Sequence, residues 1–436
     1  MKHQFLITIG ILGFTLFGYS QDTITVTKKE LLEKVTDANL QVQLAQKNFQ
    51  AAKADYQQSN ALFLPNITAS HTVLSTTNPL MAFGSKLNQE ILTASDFNPA
   101  LLNNPAKTQN FATVISVQQP LLNADGLYER KAAKAKMQAY ELQSARTKEY
   151  MQLEVSKAYR QLQLAYKAVA VLTKAAATAQ ANLKLVDNYF KQGLVQKTDV
   201  LNVQIRVNEV ANQWHYAKSS VQNASDYLGF LLNEDTKNKT YQPSEEPENG
   251  ISITTTATEV PENRKDIQAL NQSTSAYQKM YLSSKMNFLP RLNAFGSYEL
   301  YDQTLFGTKA KGYTVGAQLS WNVFDGYKSI GKMAKAKAEY QKASIETEQY
   351  KKQSQLEVNT TNRQLRDAEN KVQLSQLALD QAREAYRIRQ NRFAQGLEKT
   401  TDLLQSETQM IQKELEQLQA VFEYNTTQEY LQFLTN

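Results

Sequence analysis

The 436-residue chain carries 48 basic and 42 acidic residues, a formal net charge of +6 and no cysteine. Without cysteine it can hold neither a disulfide framework nor a lipid on a mature N-terminus, and it has no thiol nucleophile. A charge excess this mild, spread over so long a chain, gives no ground for a nucleic-acid partner.

The first segment, 1–20, reads as a signal peptide. Lys2 provides a short basic start, Phe5 to Phe17 is an apolar run, and Gly18-Tyr19-Ser20 supplies small residues at the −3 and −1 positions of a cleavage site. The mature chain would begin near Gln21 with Lys2 lost, leaving +5. No later apolar stretch reaches the roughly twenty residues of a membrane helix, so membrane insertion of the mature chain would require a closed β-barrel.

Glycine and proline punctuate the mature chain. The first repeat is expected over 21–233, opening with a shorter helix that runs into a strand near 64–75. A second strand lies near 110–122, and an outer loop over 76–110 separates the two. That loop holds Pro79, Gly84, Pro99 and Pro105, and its Met81, Phe83, Ile91, Leu92, Phe97, Leu101 and Leu102 are more apolar than a solvated loop needs. Between Gly126 and Gly193 lie 66 residues with neither glycine nor proline, rich in Ala, Gln, Lys, Glu and Leu. They predict a long helix over 127–192, about 100 Å at the α-helical rise, and a returning helix over 197–232. Apolar positions from Tyr140 to Leu172 are spaced too irregularly for a two-stranded seam, and the Ala-rich faces suit helices that touch two neighbours. A linker over 234–263, with Pro243, Pro247 and Pro261, holds one short expected strand at Ile251–Thr256.

The second repeat, 264–436, has strands near 290–302 and 312–324. The latter carries the clearest period-two signal, with Tyr313, Val315, Ala317, Leu319, Trp321 and Val323 on one face. A long helix over 328–394 and a returning helix over 400–434 complete it. Three blocks recur in order. Phe63-Leu64-Pro65 returns as Phe288-Leu289-Pro290, Ala133-Lys134-Ala135-Lys136 as Ala334-Lys335-Ala336-Lys337, and Phe190-Lys191-Gln192-Gly193-Leu194 as Phe393-Ala394-Gln395-Gly396-Leu397. Their offsets of 225, 201 and 203 place an insertion between the strands of the first copy. Each turn is followed by Thr-Asp, at Thr198-Asp199 and Thr401-Asp402. An aspartate there can cap the returning helix, which is an alternative to any pore role. Four strands cannot close a barrel in lipid, so several copies must contribute, and three would give twelve strands.

These residues resemble the TolC family of outer-membrane efflux channels across the mature chain. The resemblance rests on the paired Phe-Leu-Pro lead-ins, on Gln119-Pro120-Leu121-Leu122 with Trp321-Asn322-Val323-Phe324-Asp325-Gly326, and on the two Gln-Gly-Leu turns. It implies a mainly α fold with a small β part. A duplicated helix–strand–strand–helix–helix unit would form a homotrimer, whose twelve-stranded transmembrane β-barrel continues into a long periplasmic α-helical barrel. It also implies an exit duct in the outer membrane that extends into the periplasm and works with a periplasmic adaptor and an inner-membrane pump for efflux or type I secretion. Outer-membrane lipid is a further partner, and no cofactor is implied.

Gly193, Leu194, Thr198, Asp199, Gly396 and Leu397 would form the hairpin tips that meet the adaptor. The gate would involve Asp402, with Gln405 at the second gate acid's position, Phe393 at the linking tyrosine's, and Glu398 at the linking arginine's, with Lys399 beside it. The closing contacts must therefore differ from the family's, with Lys399 a stand-in for the arginine. Tyr298, Tyr313 and Trp321 fit an interfacial aromatic belt. Outside the leader only His71 and His215 remain as histidines, and no phosphate loop or His-Glu-x-x-His pattern occurs, so catalysis is not expected. The rival from another class is a periplasmic coiled-coil scaffold or adaptor. It would explain the long helices and export but would not need the strand pairs.

Overall fold

A computed structural model describes residues 22–237, 239–247 and 258–436. The expected leader and the strand expected at Ile251–Thr256 lie outside these residues. In chain order the elements are β1 (Asp22–Val26), α1 (Lys28–Ala38), α2 (Leu40–Gln58), β2 (Asn66–Thr76), α3 (Pro79–Asn88), α4 (Pro99–Asn103), β3 (Thr108–Leu122), α5 (Ala124–Lys191) and α6 (Lys197–Leu231). Then come β4 (Lys239–Pro243), α7 (Lys265–Met286), β5 (Arg291–Asp302), β6 (Ala310–Ser320), α8 (Lys328–Ala394) and α9 (Thr400–Thr435). The chain divides into two compact units.

One unit, Ala45–Arg146 with Glu262–Gln353, contains a four-stranded antiparallel sheet in the order β2-β3-β5-β6. Its registers sort every side chain onto one of two faces, because residues directly opposite point the same way. On one face Tyr313 pairs with Tyr298, Val315 with Gly296 and Leu319 with Leu292. Tyr298 in turn opposes Ile115 and Gly296 opposes Val117, and these oppose Ala69 and Ile67. The other face carries Thr314, Gln318, Ser297, Asn293, Glu299, Ser116, Gln118, Ser70, Thr68 and Asn66. One face is thus mainly apolar, with Lys311, Thr113 and His71 in one row towards its edge, and the other mainly polar, the alternation of a barrel strand with lipid outside and water inside. Tyr313 at 78%, Val315 at 73% and Leu319 at 65% exposure leave the apolar face bare in the single chain. Eleven residues of β6 reach about 36 Å, enough to cross the hydrocarbon layer at the usual tilt. Gly316 is required where it stands, since a Cβ there would lie 2.7 Å from the Phe295 ring across the ladder.

Two features of the sheet differ from the sequence reading. Alternation continues through Val323, but β6 stops at Ser320. Its partner β5 begins at Arg291, opposite Ser320, and the preceding Pro290 has no N–H to extend the ladder. Trp321 instead donates Nε1 to the Phe288 carbonyl at 3.0 Å. The segment expected as an outer loop holds α3, a 3-10 turn at Ala94–Phe97 and α4. Asn78 and Asn98 cap helices that each begin with proline, and Lys86 pairs with Asp96 at 2.8 Å. Two of the three prolines that read as loop markers, Pro79 and Pro99, are helix starts. Phe83 and Phe97 meet edge to face, so part of the segment's apolar content packs internally.

The other unit, Met1–Leu44 with Thr147–Pro261 and Ser354–Asn436, is helical among its described residues apart from a short parallel pair, β1 with β4, and a few connecting residues. That pair falls where the sequence suggested only a leader junction and a linker. Its Val26 and Tyr241 are buried with Leu31, Val35, Tyr159, Leu162 and Leu228. Asn39 separates α1 from α2: its Oδ1 accepts from the Gln41 and Val42 amides, and its Nδ2 donates to the Leu231 carbonyl at 2.7 Å. Further cores lie around Ala175, Ala179 and Val210 and around Val358, Ala420 and Tyr424. Alanine recurs in these seams because close-packed helices leave little room for larger side chains.

The faces of β6 make a paired prediction. Val315→Arg places a charge on the apolar face, costing about 2–4 kcal/mol if it lies at mid-bilayer, and should abolish outer-membrane recovery. Thr314→Arg, one residue away on the polar face, should be tolerated. Equal recovery of both variants from membrane fractions would contradict this assignment of faces.

Candidate gate at the helical turns

The two long helices each reverse through a glycine of positive φ, Gly193 at 74° and Gly396 at 73°. At the first turn the Gly193 amide donates to the Phe190 carbonyl and the Leu194 amide to that of Tyr189, both at 2.9 Å. At the second, Gly396 donates to Phe393 and Leu397 to Arg392, again at 2.9 Å. This closure leaves the glycine in the left-handed region, where a side chain would be strained.

The aspartates after the turns are used differently. Asp199 Oδ2 accepts from the Gln196 amide at 2.9 Å and so caps α6, while Thr198 Oγ1 donates to Gln196 Oε1 at 3.4 Å. Asp402 occupies the equivalent position on α9, half-buried, but its carboxylate makes no hydrogen bond or ion pair with the described residues. Its backbone amide donates to the Lys399 carbonyl at 3.2 Å. Helix capping therefore accounts for Asp199 and leaves Asp402 free. Gln405, one turn further along α9, is exposed.

Phe393 is 2% exposed and sits in a core with Val186, Val200, Val203, Tyr386 and Leu403. It plugs the space between the hairpins. Beside it lies Tyr189, ring centroids 5.8 Å apart, and the Tyr189 hydroxyl donates to the Ala394 carbonyl at 3.1 Å. A tyrosine link between hairpins exists, and it comes from the first hairpin. Glu398 is held within its own turn, accepting from Arg392 Nε at 3.0 Å and Arg389 Nη1 at 3.4 Å, with its side chain 15% exposed. Arg392 Nη2 also donates to the Leu397 carbonyl. Lys399 is exposed, and its ammonium has no partner among the described residues. Sequence reasoning missed Tyr189, Arg389 and Arg392. The signal was present: Tyr189 and Arg392 are the residues that precede the repeated phenylalanine.

Leu194 and Leu397 at the turns are exposed apolar side chains. Away from the turns, Tyr298 and Tyr313 form a cross-strand pair on the apolar face of the sheet, and Trp321 is exposed just past the end of β6. Among the described residues no group of His, Cys, Asp and Glu could hold a metal ion, and no helix is long and apolar enough to cross a membrane.

Residues 31–234 and 257–436 match the family described as outer membrane efflux protein. No curated protein matches the chain in sequence. Among solved structures, VceC from Vibrio cholerae, an outer membrane protein, superposes with a TM-score of 0.77 at 16% identity, over 93% of this chain and 95% of its own. The outer-membrane channel OprN gives 0.81 at 17%, over 93% and 89%. The open state of the Neisseria gonorrhoeae MtrE outer membrane channel gives 0.75 at 15%, over 93% and 88%. These likenesses establish the fold, a mostly helical chain with a small strand part.

Tyr189→Phe keeps the ring packing and removes one hydrogen bond, worth about 0.5–1.5 kcal/mol. It should speed amide exchange at residues 393–397, and Tyr189→Ala should do so more strongly because Phe393 loses its neighbour. Unaltered exchange in both variants would show that the link carries no load.

Proposed function

Because the chain belongs to the outer membrane efflux protein family and serves as an exit duct of the outer membrane, we propose that three copies close one barrel and that Asp402 forms its periplasmic constriction. The observation that carries the trimer is the sheet. β2 and β6 each pair on one side only, so both edges of the four-stranded sheet are open. Unpaired backbone is not tolerated in lipid, and the alternating strand directions allow β6 of one copy to meet β2 of the next antiparallel. Three sheets give twelve strands with a polar lumen, within the range of known barrels. Cyclic symmetry closes such a ring with one repeated contact.

The helical hairpins project into the periplasm, and their tips, with exposed Leu194 and Leu397, meet a periplasmic adaptor and an inner-membrane pump. Substrate passes through by diffusion, and no chemical step is performed. Threefold symmetry would bring three copies of Asp402 around one axis. Its uncommitted carboxylate would give that constriction a negative field favouring cations. Gln405 lessens the charge that a second acid would add. The internal clamp of Glu398 by Arg389 and Arg392 takes the place of an arginine link between neighbours, and Tyr189 supplies the inter-hairpin bond.

Single-channel recording in a planar bilayer tests the constriction. Asp402→Ala should raise conductance and weaken block by divalent cations, whereas Asp199→Ala should leave block by divalent cations unchanged. Recordings identical to wild type for Asp402→Ala would remove it from the gate. Recovery of the chain from the soluble periplasm, without heat-modifiable trimers on a gel, would count against the duct itself.

A further inference from the structure

Five residues beyond Asp402 on α9 lies Glu407, a carboxylate with no solvent exposure. Four helices converge on it. Asn182 of α5 donates Nδ2 to Glu407 Oε2 at 2.6 Å. Arg206 of α6 is the charged group acting on it, but its Nε stands 4.0 Å from Oε1, and its Nη1 is engaged by Glu209 at 3.3 Å. Tyr386 of α8 supplies the neighbouring titratable group, a buried phenol. Three of these polar atoms, Glu407 Oε1, Arg206 Nε and Tyr386 Oη, are buried without a hydrogen-bond partner.

Another buried acid of the same unit shows what full compensation looks like. Glu429 accepts from Lys28 Nζ at 2.5 Å, Arg160 Nη2 at 2.6 Å and Ser156 Oγ at 2.6 Å. Burial pushes its carboxyl up, but Arg160, Lys28 and Ser156 more than offset this and hold it below the usual carboxylate value. Glu407 has one hydrogen bond and a cation out of contact. A buried carboxylate with an unmet oxygen is costly in its ionised form, and a half-satisfied network is ready to rearrange.

We infer that Glu407 is a proton-linked latch between the two hairpins: neutral Glu407 leaves α9 seated against α5 and α6, and its ionisation draws in water and Arg206 and unseats α9. This rests on the reading of Asp402 as the constriction, because both residues ride on the same helix. Burial raises the Glu407 carboxyl above its ordinary value, and Arg206 and Asn182 counter this only in part. A conformation that exposes Glu407 restores the ordinary value. The seated conformation therefore binds the proton more tightly. Its advantage is complete at a pH below the ordinary carboxylate range and is lost as pH rises through the raised value. Low pH holds the gate shut, and higher pH releases it.

Planar-bilayer recordings between about pH 5 and pH 8 test the latch. Wild-type open probability should climb with pH, by about tenfold for each unit separating the two titrations. Glu407→Gln, permanently neutral, should stay low and flat. An unchanged pH profile in Glu407→Gln overturns the latch, whereas a wild-type chain that never conducts overturns the duct reading instead. A second measurement needs neither conduction nor the Gln variant. The chain has no cysteine, so Ser406→Cys, buried beside Glu407, and Gln405→Cys, exposed, can each be labelled alone with a maleimide in the full-length protein. The ratio of the Ser406→Cys rate to the Gln405→Cys rate cancels thiol ionisation. It should rise about tenfold with each unit of difference, and a ratio constant with pH overturns the latch.

Discussion

Backbone groups in hydrocarbon must be paired, and the rest of this architecture depends on that constraint. The sheet satisfies it along β3 and β5, each flanked on both sides, and leaves it unmet along β2 and β6. Fifteen residues in β3 and twelve in β5 are long for globular strands but suited to a bilayer. The two faces then differ for a simple reason. Side chains toward lipid must be apolar, and those toward a water-filled lumen need not be. Placing Gly316 opposite Phe295 on the polar face lets one large ring cover a gap that the ladder would otherwise leave open.

The helical part solves a different problem. Its helices are too long to be stabilised by a compact core, so small cores are strung along them, one around Tyr159 and Leu228, others around Ala179 and around Val186 and Phe393. Charge is handled the same way, locally and by degree. Glu429 is fully paired, Asp266 is bonded by Arg264 and Tyr350, and Glu398 is clamped by two arginines. Near the second turn the degrees differ from residue to residue: Glu398 is clamped, Asp402 makes no side-chain bond among the described residues, and Glu407 is half-met.

Much of this was legible in the sequence. Glycine and proline spacing exposed the long helices, because those residues are costly inside a helix. Period-two alternation found the sheet because one face is mainly apolar, most clearly along β6 from Tyr313 to Leu319. The family match and the fold then decided between channel and scaffold. Other features were hidden for physical reasons. β1 and β4 are five-residue strands whose pairing partner lies far along the chain, so neither has local periodicity. α3 and α4 begin at prolines, which signal a loop and a helix start equally well. At the turns, matching positions to a family pattern drew attention to Phe393 and Glu398. It could not reveal that Tyr189 bonds across to Ala394 or that Arg389 and Arg392 occupy Glu398, since those contacts join residues that no linear motif relates.

The β3–β5 ladder has a consequence for biogenesis. It pairs residues as far apart in the chain as Phe111 and Asp302. β2 and β3 can form a hairpin as soon as they emerge, but the sheet cannot be completed until the second half of the chain has emerged too. Contacts this distant in sequence form slowly, because a long loop must be closed before pairing stabilises anything. During that interval an apolar hairpin and its unpaired edge face water, the condition that invites aggregation. Delivery and assembly of the newly exported chain are therefore governed by the time between its first and its last strand.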